Sequence, residues 1–491
     1  MAVFSSAACH QLLRHGKLAG FLSLLAVMMT MTASAQTLTM LANLSAFNDS
    51  PWRMSFAQGT DGNLYGTSLY GGTYGNGTVF EITPSGALIT LYSFCGVFGC
   101  NDGAYPCGGL VQGSDGNLYG ATEFGGTWAE GTIFKVNPDG TLTTIYSFCS
   151  QPGCVDGMNP CGPLVHASDG NFYGTTVGGG NEPCDYGCGT VFKITERGVL
   201  TSIHRFCSEN GCADGASPNS GLIQARDGNL YGTTFGGGTR CTPGCGTIFR
   251  ITPRGTFTML HDFGGTDGDI ITAGLIQAAD GDFYGTAARG GTDNDGTVFK
   301  VNSIGDDLTV VHNFHGNDGS EPYTGVIQAS DGNFYGTTTA GGTNCSDQFD
   351  GCGTVFLITP RNRFHTLYLF QGSDGYDPDN PLLQGTNGSF YGTNVFGGAS
   401  GQGTVFELSV GLNPFVSFVQ RFGRIGQTSD IVGQGFTGTT TVMFNGMPAN
   451  FTVVSDTLIK ATVPPDATSG YVTVTTPPRV LTSNVPFRVI P

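Results

Sequence analysis

The sequence predicts an all-β chain: a seven-bladed β-propeller of four-stranded blades, closed by its N-terminal strand and followed by an immunoglobulin-like β-sandwich. Three observations predict it. A motif seen as "SDGNLYG" at 114–120 occurs seven times, with its tyrosines at Tyr65, Tyr119, Tyr173, Tyr231, Tyr284, Tyr335 and Tyr391. A second marker, "GTVF" or "GTIF", follows each copy at 77, 131, 189, 246, 296, 353 and 403. The third observation is that the two ends of the repeat region are complementary fragments of one unit.

Spacings of 51 to 58 residues over seven copies mean a repeat architecture. Within the second unit, "GGLVQGS" (108–114) reads as a short first strand and "DGN" as a hairpin turn tolerant of positive φ. "LYGATEF" (118–124) returns, "GTIFKVNP" (131–138) is the third strand, and "TLTTIYSF" (141–148) closes the unit after a "PDG" turn. Four antiparallel strands per unit describe propeller blades. The chain after residue 35 opens with "TLTMLANLS" (37–45), which matches a fourth strand, and the last unit stops at the third strand "GTVFELS" (403–409). The N-terminal strand therefore completes the last blade and hides two sheet edges.

Composition agrees. Of 491 residues, 80 are glycine and only 12% are charged, without a three-residue period, which suits short strands and tight turns. Residues 1–35 read as a signal peptide: Arg14 and Lys17, the apolar run 18–32, then "ASA" at 33–35. No later segment is apolar enough to span a membrane, so the mature chain is expected outside the cell or at its surface. Without that leader, 37 acidic residues face 18 basic ones, a balance of −19, which makes nucleic acid a poor partner.

Fourteen of the 15 cysteines follow the leader, an even number in an exported chain. Six close pairs stand out as loop staples: Cys95–Cys100, Cys149–Cys154, Cys207–Cys212, Cys184–Cys188, Cys241–Cys245 and Cys345–Cys352. Cys107 and Cys161, at equivalent points of neighbouring units, are left to pair with each other. Zinc binding is the alternative, but the spacings exceed CxxC and lack nearby histidines.

The "DGNLYGTT…GG…GTVFKITP.G.LT.LYSF" series resembles the GloVer (Gloeo/Verruco-type) tandem-repeat family of exported bacterial proteins over roughly 37–410. That resemblance implies no particular activity. The paired glycines at 125–126, 341–342 and 397–398 also make the unit kelch-like. Beyond Val410 the character changes. "IVGQGF" (431–436), "TVMFNGMPANFTVVSDTLIKATVP" (441–464) and "SGYVTV" (469–474) resemble an IPT/TIG domain, with "QRFGRIGQ" in place of the usual glycine-marked opening. The expected organisation is a leader at 1–35, a propeller at 36–410 and an immunoglobulin-like domain at 411–491, the last with an accessory role.

Turn lengths place function. First-to-second and third-to-fourth turns are short, so the long loops share the other face, and loops over a rigid scaffold carry function. The uniform Tyr-Gly motif sits away from that face and reads as packing between blades. Asp49, Asp102, Asp156, Asp214, Asp267, Asp318 and Asp374 recur in the fourth-to-first loops. They read first as turn residues and second as a carboxylate ring for calcium, the one cofactor considered.

Departures from the repeat are more telling. Tyr70, Tyr74, Trp128, Tyr186, Arg240, Arg289 and Phe349 lie in the second-to-third loops as a candidate ligand-binding mouth, with a glycan or a surface protein as partner. Packing over their own loops is the alternative. No catalytic residues are assigned. His204, His261 and His312 replace fourth-strand tyrosines and do not converge, and His166 is alone on an inner strand. The expected function is non-enzymatic binding or structure. The alternative is a polysaccharide lyase or glycoside hydrolase, marked by a convergent Asp/Glu or His/Arg/Tyr cluster at the channel mouth.

Overall fold

A computed structural model describes residues 36–44, 55–180, 188–241, 244–343 and 351–490. Among the described residues the chain is all-β apart from short 3-10 turns. The repeat region forms seven antiparallel sheets, one per unit, each with first, second, third and fourth strands in that order, and the second unit's sheet has a fifth strand besides. In the third unit these are Val165–His166, Phe172–Thr176, Thr190–Ile194 and Leu200–Arg205.

The first strand is shorter than its apolar sequence suggests, only Val111–Gln112 in the second unit. Upstream of it the backbone passes through a left-handed residue, Tyr105 (φ 56°), and then Pro106. A left-handed residue and a missing N–H interrupt the ladder, so Ala104–Pro106 forms a separate pairing with Leu118–Phe124.

The strand Thr37–Asn43 pairs antiparallel with Thr404–Ser409, from Thr37 opposite Ser409 to Asn43 opposite Thr404. Its ladder carries a bulge between Met40 and Ala42. The fourth strands of the other sheets carry the same irregularity, as at Thr144/Tyr146. The N-terminal strand therefore has fourth-strand geometry as well as fourth-strand sequence.

Each sheet packs on the next through aromatic rings. Tyr119, fully buried, stacks on Phe172 of the following sheet at 4.3 Å between centroids, and Tyr231 stacks on Phe283 at 4.2 Å. One cluster joins Leu64, Phe80 and Ile82 of the first sheet to Val405 and Tyr391 of the last. The tyrosine hydroxyls donate back to their own turns, Tyr119 to Asp115 at 2.8 Å and Tyr173 to Asp169 at 2.8 Å. The repeated motif is thus a packing unit with its polar tip satisfied.

Second-strand threonines donate to the next sheet: Thr67 to the Gly108 carbonyl, Thr175 to Ser220, Thr233 to Ala273, Thr286 to Thr324 and Thr337 to Pro378. The second unit has Ala121 at this position and lacks the hydroxyl. There the sulfurs of Cys107 and Cys161 lie at disulfide distance and join the same two sheets. The pairs 95/100, 149/154, 207/212 and 241/245 also lie at disulfide distance. Cys188 and Cys352 are disulfide-bonded, while Cys184 and Cys345 lie outside the described residues.

Residues 417–490 form a sandwich. One sheet holds Ser417–Phe418, Thr428–Val432, Leu458–Thr462 and Phe451–Val453, and the other holds Thr441–Phe444, Met447–Pro448, Val472–Thr476 and Arg479–Thr482. Phe418, Ile431, Phe436, Phe444, Ile459 and Phe487 fill the space between them.

Deleting residues 36–44 leaves the Thr404–Ser409 edge unpaired. The expected result is aggregation and a melting temperature lower by ~10 °C, read by calorimetry and light scattering. Replacing Cys107 and Cys161 together by serine should cost roughly 2–4 kcal/mol in denaturant unfolding, because that bond closes a 54-residue loop where no threonine bond substitutes for it.

Candidate functional site

The recurring loop aspartates are built into the scaffold. Asp102 accepts from the Tyr92 hydroxyl (2.8 Å) and the Gly96 N–H (3.1 Å). Asp156 takes the Tyr146 hydroxyl and the Ser150 N–H, and Asp374 takes the Tyr368 hydroxyl and the Gln371 N–H. Where histidine replaces that tyrosine, it takes over the same contact: His204 Nε2 lies 3.2 Å from Asp214, His261 Nε2 2.9 Å from Asp267 and His312 Nε2 3.1 Å from Asp318. Burial opposes ionisation of Asp214, Asp267 and Asp318, but the bonds from histidine and backbone outweigh it and lower each pKa. Each aspartate ties a fourth strand to its own loop, which is the turn role. Asp49 lies outside the described residues.

Where the long loops meet the inner strands there is a cavity of about 1520 Å³. Inner-strand backbone at Gly109, Gly221, Gly274 and Gly325 forms its wall. Its ionic side chains come from the fifth, sixth and seventh units: Arg289, Asp293, Asp295, Glu321, Asp377 and Asp379, with Tyr323 among them.

Two repeat positions supply the centre of this cluster. The first follows the second strand, where Tyr70, Phe124, Arg289 and Phe396 are equivalent. The second is X in "Asp-Gly-x-X", where Tyr105, Asn159, Ser217, Ile270, Glu321 and Asp377 are equivalent. All six X residues are left-handed, with φ between 52° and 59°. The bonds on either side hold them there. Glu321 N–H donates to the Asp295 carbonyl (2.9 Å), and its own carbonyl accepts from Thr339 N–H (3.1 Å). Asp377 is held likewise by Cys352 and Val395. The backbone is the same in each unit, so the side chain is free to differ.

Arg289 Nη2 lies 3.1 Å from Glu321 Oε1. Burial and the nearby Glu321 charge push Asp377 up to about 6. Tyr323 is raised by burial and by Glu321, with Arg289 opposing. A carboxylate paired with a guanidinium therefore shares the cavity with an aspartate whose proton affinity is raised. Among the described residues no three carboxylates bring oxygens within 4.8 Å of one another as a divalent cation requires.

The predicted mouth divides in the structure. Arg289 lines the cavity. Tyr70 is exposed, is not among the cavity-lining residues and meets Tyr105 edge to face at 5.6 Å, and Tyr105 meets Phe124 at 5.9 Å. Tyr74 lies against Gly96 of its own unit, with 3.1 Å from the Cβ position of Gly96 to Tyr74 Cε2. Arg240 donates to the Asp262 carbonyl and Asp267, also in its own unit. Trp128 is 56% exposed on the second unit, and Phe98, at the tip of the 95–100 loop, is 96% exposed. Tyr186 and Phe349 lie outside the described residues. Sequence reasoning missed Glu321, Tyr323, Asp377 and Asp379. The signal was the variable residue three places after each loop aspartate, in a segment whose neighbours hardly vary.

The chain is a repeat-built β protein, and family models place it. The Gloeobacter/Verrucomicrobia repeat model matches residues 22–242, 185–348 and 309–442, and the chain belongs to that family. An IPT/TIG domain follows at 414–489. No curated protein matches it. Among solved structures it is similar to a Thermus thermophilus protein assigned as an oxidoreductase (glucose dehydrogenase), at 14% identity, covering 76% of this chain and 100% of that one, TM-score 0.41. It is also similar to a Bacteroides uniformis protein assigned as a 6-phosphogluconolactonase (14%, 64% and 83%, TM-score 0.42). A Xanthomonas campestris gluconolactonase gives 12%, 76% and 89%, TM-score 0.37.

Asp377→Asn tests the electrostatics of the cavity. A pKa raised to about 6 means that the folded state holds its proton more tightly, so stability falls as pH rises from about 4 through 6. The variant removes that loss. It should gain about 1–2 kcal/mol at pH 7.5, after discount for screening of a half-buried group, and nothing at pH 4. Denaturant titrations at the two pH values check it.

Proposed function

We propose that the chain is an exported glycan-binding protein. In this reading residues 1–35 are removed, and residues 36–410 form a closed seven-bladed propeller stapled by disulfides. Residues 411–491 form the accessory immunoglobulin-like domain. Seven four-stranded sheets, the pairing of Thr37–Asn43 with the last of them and the aromatic cluster between last and first support the ring. Several disulfide-distance pairs agree with export, and no helix among the described residues is long and apolar enough to cross a membrane.

One observation carries the binding reading. The cavity is lined both by the stacked rings of Tyr376 and Phe396 and by Arg289, Glu321 and Asp377. Aromatic faces take the apolar face of a sugar ring, and carboxylates with a guanidinium take its hydroxyls. A cavity of about 1520 Å³ has room for several sugar units.

A second reading has its own support. Asp377, pushed up to about 6, shares the cavity with Glu321, and a carboxyl of raised pKa with a second acidic group is the pairing that a general acid and its partner require, so a glycoside hydrolase or lyase is the alternative.

A glycan array with the wild type, Phe396→Ala, Trp128→Ala and Glu321→Gln tests the proposal. Phe396→Ala and Glu321→Gln should each weaken binding roughly tenfold, and Trp128→Ala should matter only for long chains that reach the outer loops. Wild-type protein that holds no glycan would overturn the binding reading. Product release from a bound glycan, abolished by Asp377→Asn, would establish the enzymatic one.

A further inference from the structure

The short-turn end of the propeller carries a ring of glutamines with one break. Gln58, Gln112, Gln224, Gln277, Gln328 and Gln384 end six of the seven first strands. Five of them accept a backbone N–H from the preceding unit's turn: Gln224 from Ser168, Gln277 from Arg226, Gln328 from Ala279, Gln384 from Ser330 and Gln58 from Thr386, at 2.7–3.1 Å. These bonds link neighbouring sheets around the opening. The third unit has His166 instead, where the N–H of Ser114 finds no glutamine.

His166 faces the C-terminal domain. Gln420 Nε2 donates to His166 Nδ1 at 3.2 Å, and Phe422 meets the imidazole edge to face at 6.2 Å. The other face of the imidazole stacks on Phe172 at 4.5 Å. A glutamine offers neither aromatic face. The same domain reaches three more units. Thr457 Oγ1 donates to the Thr60 carbonyl of the first (2.8 Å), Arg488 Nη1 to the Ala225 carbonyl of the fourth (3.5 Å), and Phe415 N–H to the Thr386 carbonyl of the seventh (3.0 Å).

Thr60, Ala225 and Thr386 lie at the turns between first and second strands, beside the axis. The seventh and first units are neighbours in the ring, and the third and fourth lie opposite them. A domain that touches all four crosses the opening. We propose that the C-terminal domain is a lid on the short-turn end of the channel, seated by His166, so that ligands reach the axial cavity only from the long-loop face. This rests on the closed-ring reading and is independent of what the cavity binds.

The test uses the full chain. His166→Gln restores the residue of the other units and so keeps the inter-sheet bond available. Hydrogen exchange at residues 412–416 and 225–228 should rise roughly tenfold in it, with the strands Phe172–Thr176 and Val472–Thr476 still protected. Unchanged exchange at both segments would overturn the seat. If strand protection is also lost, Phe422→Ala reads the same contact from the other side, and no rise in that variant overturns it equally. For closure, Gln328→Cys places a thiol at the ring on the sixth unit, which makes none of the four contacts just described. A polyethylene-glycol maleimide should modify it roughly tenfold more slowly than after His166→Gln is added. Equal rates would overturn the lid while leaving glycan binding untouched.

Discussion

The fold depends on the close approach of a phenylalanine ring to the glycine that follows each buried tyrosine. A Cβ on Gly120 would lie 2.6 Å from Phe134 Cζ of the adjoining strand, and at Gly66, Gly174, Gly285, Gly336 and Gly392 the distance is 2.4–2.9 Å. No side chain fits there. The ring fills the glycine's space, and the tyrosine next to it then projects toward the following sheet. One steric fact thus sets both the packing within a sheet and the packing between sheets. Its repetition makes seven similar sheets out of a chain with little charge and much glycine.

A scaffold held by uniform contacts leaves its loops free to differ. The left-handed residue after each Asp-Gly shows how. At Asn159, Ser217, Glu321 and Asp377 its N–H and carbonyl are bound to the loops on either side, so its backbone position does not depend on its side chain. Tyrosine, asparagine, serine, isoleucine, glutamate and aspartate all occupy it. The result is a cavity whose ionic side chains come from three units only. His166 shows the same principle at the other end, where one departure in the glutamine ring becomes a contact with another domain.

Most of the architecture was legible in the sequence. The four strands, the short and long turns and the fourth-strand character of Thr37–Asn43 all follow from apolar alternation and turn residues, which act locally. The role of the repeated tyrosine was legible for a related reason: a residue required in every unit is serving the unit. The histidines at 204, 261 and 312 were readable as tyrosine substitutes, although their bond to the loop aspartates was not. The candidate site was less legible. Tyr70, Tyr74, Trp128, Arg240 and Arg289 looked alike because all stand in the same kind of loop. Loop membership does not say whether a side chain turns to the axis or lies back over its own unit.

By itself, the sequence determined the repeat, the strand order, the cysteine pairs within loops and the identity of the C-terminal domain, because each is written in short-range pattern. Only the tertiary structure decided which side chains meet. Arg289, Glu321 and Asp377 belong to three units and line one cavity because those units pack side by side. Burial together with the field of Glu321 then sets the proton affinity of Asp377. Gln420 and His166 lie 254 residues apart and touch because a separate domain folds back onto the turns. Such contacts depend on the curvature accumulated over many sheets, and no local window of sequence contains that curvature.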